Sequence, residues 1–541
     1  MQEFRREFLK MAGLTVAGSA TALAHGAQAK AQGGRAVDPA TGERLVYFDV
    51  RRFGARGDGA TVDSPAINAA IDAATGVGGG TVIFPAGVYA SYSIRLKSNV
   101  ALFLQQGAAI LAAPTPYDGL KSGGYDAAEP QGAWEPYQDY GHNHWHNSLI
   151  WGENIHDFGI FGPGLIWGKG LSRGWDTEKE LPDTKAPGVG NKAIALKNCR
   201  NVILSDFSIL QGGWFGILAT GVDNMTIDNL KIDTNRDGMD IDCCRNVRVS
   251  RCTVNSPWDD GICPKSSYAL GYARATENVT IGDCYVTGRY ELGTVLDGTW
   301  KVRTADRWRM GTGRIKCGTE SNGGFKRIAI SNCVLDGCRG FALETEDGAL
   351  VEDLTITGIT MRDVGVPFFM RLGARLRGPK PGTVPGTMKR ILISNVTSSN
   401  ANLMPSIIAG IPGHSIEDVK ISDVYLEHTG GGTDEMNALR PEEKIDSYPE
   451  PTMFGDLPTV GFYARHAKNL ELSNVEVAIA GNDVRPAYHL EDVQGADFFR
   501  LKMPAGKKSG QFRLKGVTDF RVFGCRHYPD AAMDAADEKM V

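Results

Sequence analysis

The sequence has no long run of basic residues, and its formal net charge is only −5. Binding nucleic acid takes a basic face that neutralises phosphates, so no nucleic-acid partner is expected. Beyond the N-terminus no stretch is apolar for long enough to span a bilayer, and no membrane partner is expected either. Ten cysteines are present, yet none form a Cys-x-x-Cys pair. Seven of them (Cys243, Cys244, Cys252, Cys263, Cys284, Cys317 and Cys333) fall in strand-like runs, where a thiol packs as a small hydrophobe. This pattern predicts neither a disulfide framework nor a cysteine metal centre. Glycine is abundant, at 67 of 541 residues, while charged residues are ordinary at 22%. Such a composition suits an all-β chain with many turns better than a helical one.

The N-terminus has its own pattern. Arg5-Arg6-Glu7-Phe8-Leu9-Lys10 is followed by an uncharged, alanine-rich run to Ala24 and then by Ala27-Gln28-Ala29. A basic start, a short apolar core and a small-x-small site read as a secretory signal over residues 1–31, with cleavage near Ala29 or Ala31. The paired arginines resemble a twin-arginine export signal and imply a periplasmic or secreted protein. Such proteins fold before export in a reducing cytosol, which also argues against disulfides.

Residues 32–115 are expected to form an N-terminal cap and the first coils. Within them Asp63-Ser64-Pro65 leads into apolar positions Ile67, Ala70, Ile71 and Ala74, a short amphipathic helix suited to plugging the open end of a solenoid. A repeat then runs through the chain. It begins at Asp157, Asn201, Asn224, Asn246, Asn278, Arg327, Asp353, Arg390, Asp418 and Asn469, each opening a short strand that alternates apolar with polar residues. Each unit is too small to bury its own apolar face, so the units must stack. The fold expected is all-β, a right-handed parallel β-helix with a short capping helix, its catalytic domain spanning residues 116–525. Residues 429–461 interrupt the repeat with a polar, proline-rich loop, and residues 526–541 read as a loose tail or short helix.

Asp237 falls thirteen positions after Asn224, and Asp259, followed by Asp260, falls thirteen after Asn246. On neighbouring rungs about 4.8 Å apart, these side chains would cluster on one rigid face, as carboxylate hydrolysis of a glycosidic bond requires. Turn aspartates that merely cap backbone amides are the plain alternative, and it is the reading given to Asp240 and Asp242.

These residues carry a family resemblance. FGARGDG at 53–59, SLIWGENIHDFGIFGPGLIWGKG at 148–170, Gly213-Trp214, Asn235-Arg236-Asp237-Gly238, Asp259-Asp260 and Lys265-Ser266 resemble the polygalacturonases, glycoside hydrolase family 28. The resemblance implies a pectin-degrading parallel β-helix acting on a plant cell-wall polysaccharide or oligosaccharide, with Asp237, Asp259 and Asp260 catalytic and no metal or cofactor. It implies an inverting reaction, with Asp259 as general acid at a raised pKa and carboxyl separations of roughly 6.5 to 9.5 Å. Asp237 and Asp260 would hold and deprotonate the attacking water. Lys265, Thr312, Glu320, Glu344 and Arg371 are the expected substrate-binding residues.

Two family signatures are altered. Gly311-Thr312-Gly313 stands where the family has Gly-His-Gly, and Ala342-Leu343-Glu344 stands where it has Arg-Ile-Lys. A literal Arg314-Ile315-Lys316 reads as a decoy, one rung too early. In the family those cations clamp a galacturonate carboxylate, and a glutamate there would repel one. A rhamnogalacturonan-type or branched pectin therefore fits better than plain polygalacturonate.

The insertion at 288–310 offers Tyr290, Trp300, Arg303, Arg307, Trp308 and Arg309 as a sugar-stacking wall. His142, His144 and His146 have the alternate spacing of metal ligands on a strand, but polar contacts at the groove mouth are the preferred reading. His466 reads as a satisfied turn residue. A polysaccharide lyase and a non-catalytic carbohydrate-binding solenoid are the competing classes. A monomer is expected.

Overall fold

All ten repeat starts place their first residue in the left-handed region, with φ between 53° and 60°. Asparagine and aspartate tolerate this conformation because their short side chains bond locally. Here they also bond to one another along the stack. Asn201 donates to Asp157, Asn224 to Asn201, Asn246 to Asn224 and Asn278 to Asn246, at 2.8–3.1 Å, and Arg327 Nε extends the ladder to Asn278 at 2.7 Å. The computed structural model describes residues 47–114, 124–173, 183–304, 311–504, 510–526 and 528–541. The export segment expected over residues 1–31 lies outside them, as do Arg307, Trp308 and Arg309.

Up to the last coils, strands pair in parallel with their equivalents one coil on, so three strand columns build a parallel β-helix. The ladder joins the first coils to the following ones, since Leu165–Trp167 pairs back onto Ala109–Leu111. The helix α1 (Ser64–Gly76) packs on strands Tyr47–Asp49 and Gly80–Phe84 and buries Ile67, Ala70, Ile71 and Ala74. Its preceding Asp63 makes no side-chain cap; the carboxylate instead accepts from the amides of Arg56 and Gly57. At the far end the tail is neither loose nor helical. Ala531–Ala536 and Lys539–Met540 pair antiparallel with Phe512–Phe523, covering the last edge of the sheet. All ten cysteines are free and nine are buried, as packing thiols would be. Among the described residues no helix is long and apolar enough to cross a membrane.

One column carries the chemistry. Its central strands are β1 (Phe215–Thr220), β2 (Asp237–Asp242), β3 (Ile262–Lys265), β4 (Ile315–Cys317), β5 (Gly340–Thr345) and β6 (Val366–Leu372). Apolar side chains such as Ile217, Met239, Ile241, Ile262 and Ile315 stack in the coil interior, and this fixes the register of the polar residues between them.

Candidate active site

Asp237 opens β2, and Asp259 and Asp260 stand just ahead of β3. Met239 pairs with Ile262, which puts Asp237 level with Asp260 and not with Asp259. The matched count of thirteen therefore slips by one residue between the two coils. The three side chains still converge, with one oxygen of each within 4.8 Å of the others. That gap is tighter than the 6.5 to 9.5 Å expected of an inverting pair. The close approach depends on Gly238, where a Cβ would strike the carbonyl of Gly261. The Asp260 amide donates to Asp237 Oδ1 at 3.2 Å and to Asp259 Oδ1 at 3.0 Å. The Gly311–Gly313 turn that contains Thr312 seats the pair from behind, with the Gly313 amide donating to the Asp259 carbonyl at 2.8 Å.

The charges around these carboxylates are unequal. Arg314 Nε donates to Asp260 Oδ1 at 2.7 Å, and Lys316 Nζ donates to Oδ2 at 2.8 Å. These two residues flank Ile315 on β4, directly beside Ile262 of β3, so the run read as a decoy lies inside the site. Burial would raise the pKa of Asp260, but Arg314 and Lys316 hold it far below the carboxylate range. Arg236 donates through Nε and Nη2 to Asp259 Oδ2, each at 3.2 Å, while its guanidinium lies over the Trp214 ring. Burial likewise works against Asp259, yet Arg236 and a hydrogen bond from Asp237 bring it below its usual value. The raised pKa expected at Asp259 falls on Asp237 instead, pushed well up by burial and by its neighbours Asp259 and Asp240. Asp259 is the accessible member. Its side chain is 24% exposed, against 5% for Asp237 and 2% for Asp260.

Lys265 Nζ donates to Glu320 Oε2 at 3.1 Å and lies 3.8 Å from both Asp237 and Asp240. His142 completes this buried group from a distant segment, its Nε2 3.3 Å from Asp240 and 3.8 Å from Glu320. Asp240 therefore belongs to the site, whereas Asp242 is structural, bonded to the amide and hydroxyl of Ser267 at 2.7 and 2.6 Å. The histidines do not converge. His144 is buried between the Tyr140 carbonyl and Glu135, and His146 bonds Glu153 at 2.9 Å and stacks on Trp151. Burial of His142 and His144 overturns their reading as groove-mouth contacts. His466 is the satisfied turn residue expected, held by Asp492 and Glu443.

Two of the expected substrate-binding residues do not line the groove. Glu344 on β5 is fully buried, and neither of its oxygens has a hydrogen-bond partner. Burial lifts its pKa to about 7 against the pull of Lys316 and Arg314, so it acts on the site by charge and not by contact. Arg371 on β6 is buried, and its guanidinium donates to the carbonyls of Gly410 and Lys444 at 3.0 and 2.8 Å. It ties a loop to the coil.

Four contributors have no role in the sequence analysis: Arg236, Arg314, Lys316 and Glu450, whose carboxylate accepts from Arg314 Nη2 and from Arg339 Nη1, both at 2.8 Å. The insertion does reach the site, because Arg303 lies over the ring of the exposed Trp258, next to Asp259, at 4.4 Å. Trp300 meets Tyr290 edge-on farther out. Among the described residues three groups could hold a metal: the aspartate cluster, Asp237 with Asp240 and Cys263, and Glu129 with His146 and Glu153. In the last of these, Lys197 bonds Glu153 at 3.0 Å and supplies a positive charge from within the chain.

Comparison with known proteins agrees with this architecture. A family model described as rhamnogalacturonase A/epimerase, pectate lyase-like, matches residues 47–113, and one described as right handed beta helix region matches residues 183–299. A probable polygalacturonase from Vitis vinifera is 23% identical over 436 residues, covering 76% of this chain and 80% of that protein. The Yersinia enterocolitica family 28 exopolygalacturonase superposes with a TM-score of 0.60 at 19% identity, over 86% of this chain and 80% of the other. The hyperthermoactive exopolygalacturonase of Thermotoga maritima gives 0.58 at 16% identity, over 82% and 93%. The chain thus shares the right-handed parallel β-helix of these exopolygalacturonases and is similar in sequence to a polygalacturonase, with its own three aspartates gathered on adjacent rungs.

Proposed function

We propose that the protein hydrolyses glycosidic bonds in a pectic polysaccharide or oligosaccharide, by carboxylate acid–base catalysis and with inversion of configuration. The observation that carries the carboxylate acid–base reading is the division of labour among three carboxylates, one oxygen of each within 4.8 Å of the others. Inversion rests on the resemblance to the polygalacturonases and on an Asp260 held for water, not on this separation. Asp237 holds the proton in the free site and is hydrogen-bonded to Asp259. Asp259, the exposed member, delivers that proton to the leaving glycosidic oxygen. Asp237, now a carboxylate, works with the permanently ionised Asp260 to orient a water molecule and take a proton from it as the water attacks the anomeric carbon. Both oxygens of Asp260 are engaged by Arg314 and Lys316, which suits it to holding water and not to attacking the sugar itself.

The sugar being cleaved is neutral in this reading, as in rhamnogalacturonan-type or branched pectin. Among the described residues the cations of the site face carboxylates already: Arg236 faces Asp259, Lys265 faces Glu320, and Arg314 and Lys316 face Asp260. A uronate would bring a further negative charge beside four described cations that are already committed to carboxylates. The paired arginines and apolar run at the N-terminus support export to the periplasm or beyond. Purified enzyme incubated with a panel of pectic oligosaccharides, with the first-formed anomer followed by NMR, tests the reaction. Cleavage of neutral-sugar linkages with inversion is expected. Retention overturns the mechanism, and an unsaturated product absorbing in the ultraviolet overturns hydrolysis itself.

A further inference from the structure

The loop at 429–461 contributes no strand to the coil, yet it brings Glu450 onto the catalytic rung. Glu450 accepts from Arg314 Nη2 at 2.8 Å and Nη1 at 3.4 Å, and from Arg339 Nη1 at 2.8 Å. The opposite edge of the Arg314 guanidinium is already bonded to Asp260. Two residues before Glu450, the hydroxyl of exposed Tyr448 lies 3.1 Å from Thr319 Oγ1, and the Arg375 guanidinium lies over its ring. The loop is thus seated at two points, on the residue just ahead of β4 and on the turn after it.

Two guanidinium groups converging on one carboxylate is the geometry by which proteins recognise anions. Here the chain supplies the anion. Arg314 is buried, but the Glu450 and Arg339 side chains are 21% and 25% exposed, so this ion group opens toward solvent.

We propose that Glu450 determines specificity: its carboxylate occupies, from within the chain, the place between Arg314 and Arg339 that an acidic sugar would take, and so reserves the cleft for neutral sugars. The proposal deepens the pectic-hydrolase reading and rests on it for the substrate class. A second carboxylate entering this place meets a like charge at contact distance, whereas a sugar hydroxyl meets an acceptor. Replacing the Glu450 carboxylate with an amide removes the anion that both guanidiniums share.

The test is binding, measured calorimetrically with trigalacturonate and with its carboxyl-reduced neutral counterpart. Glu450→Gln should bind trigalacturonate roughly ten- to a hundredfold more tightly than the unmodified protein, the scale of a hydrogen bond to a charged group. The gain should shrink as salt rises, and any change in affinity for the neutral trisaccharide should be much smaller than the gain for the acid and insensitive to salt. Glu450→Ala is the second variant, and the double variant Arg339→Gln with Glu450→Gln should lose most of the gain. Unchanged trigalacturonate affinity in both single variants, or loss of the folded thermal transition in both, overturns the proposal. An unmodified protein that cleaves no pectic oligosaccharide sinks the hydrolase reading, while these binding ratios still judge Glu450.

Discussion

Arg314 Nε, just ahead of β4, donates to Oδ1 of Asp260, one coil away, at 2.7 Å, and Lys316, two residues on, takes the other oxygen at 2.8 Å. Asp260 therefore stays an anion across the working pH range, and its ionised form is the one the fold favours. Because its pKa is depressed, that contribution is present above the ordinary carboxylate pKa and is lost only as pH falls far into acid. Lys316→Met removes one of the two cations while burial keeps pushing the pKa up. The acidic limb of the kcat/KM profile should then move upward by about one pH unit or more. A pH–rate series on a pectic oligosaccharide checks this, and an unmoved limb would show that Asp260 is not a group whose ionisation the reaction needs.

Asp259 is the exposed carboxylate, and the one assigned to the leaving group. Asp259→Asn keeps the shape and can still accept from Arg236, but it has no acidic proton to give. Turnover should fall by about 10² to 10⁴ with the thermal transition nearly unchanged. A loss of less than tenfold on an oligosaccharide with a poor leaving group would move the acid role elsewhere, with Asp237 the next candidate.

The repeat was legible because it depends on local chemistry. A residue that must turn through the left-handed region, followed by an apolar alternation, leaves its mark at Asn201, Asn224, Asn246 and Asn278 whatever the distant chain does. The aspartate cluster was legible for the same reason, although counting from the asparagines misjudged by one residue which of the doublet lies level with Asp237. The family resemblance puts such cations on the next rung, where β5 carries Ala342 and Glu344, and so discounts Arg314 and Lys316. Here they sit one coil nearer the aspartates, and only the register between β3 and β4 reveals that. The spacing of His142 with His144 and His146 marks it as a candidate but not its place in the buried group, and Glu450 has no local mark at all. Each reaches the site across about a hundred residues or more, from segments outside the repeat, and no periodicity reports such a contact.

Glu344 gives a prediction about stability. Burial raises its pKa from 4.5 to about 7, so between these values the folded chain binds more protons than the unfolded one. Stability on this account is greatest at acidic pH and falls as pH climbs through the folded pKa. Glu344→Gln abolishes that loss. Thermal melts should show a gain approaching roughly 3 kcal/mol above pH 8 and almost none near pH 4. Glu346, raised to about 8 by burial beside it, should leave a residual slope that Glu346→Gln removes. An equal gain at every pH would mean that the benefit is one of packing and not of charge.

Arg371 separates a structural cation from a functional one. It lies on β6, three strands beyond β3, and donates to the carbonyls of Gly410 and Lys444 while facing the buried Glu346 at 3.6 Å. Arg371→Met would leave those carbonyls without a donor and push the Glu346 pKa, already about 8, higher still. Leaving a buried carbonyl without its partner costs about 1 to 3 kcal/mol, so the melting temperature should drop while KM on the remaining folded enzyme stays within about twofold. Lys265→Met is the contrasting variant. Lys265 touches Glu320 and lies beside Asp237, so its loss should raise the Asp237 pKa further and depress kcat at neutral pH more than it lowers stability. If instead Arg371→Met raises KM and leaves the melting temperature in place, the guanidinium reaches the sugar in solution and the carbonyl contacts do not define its role.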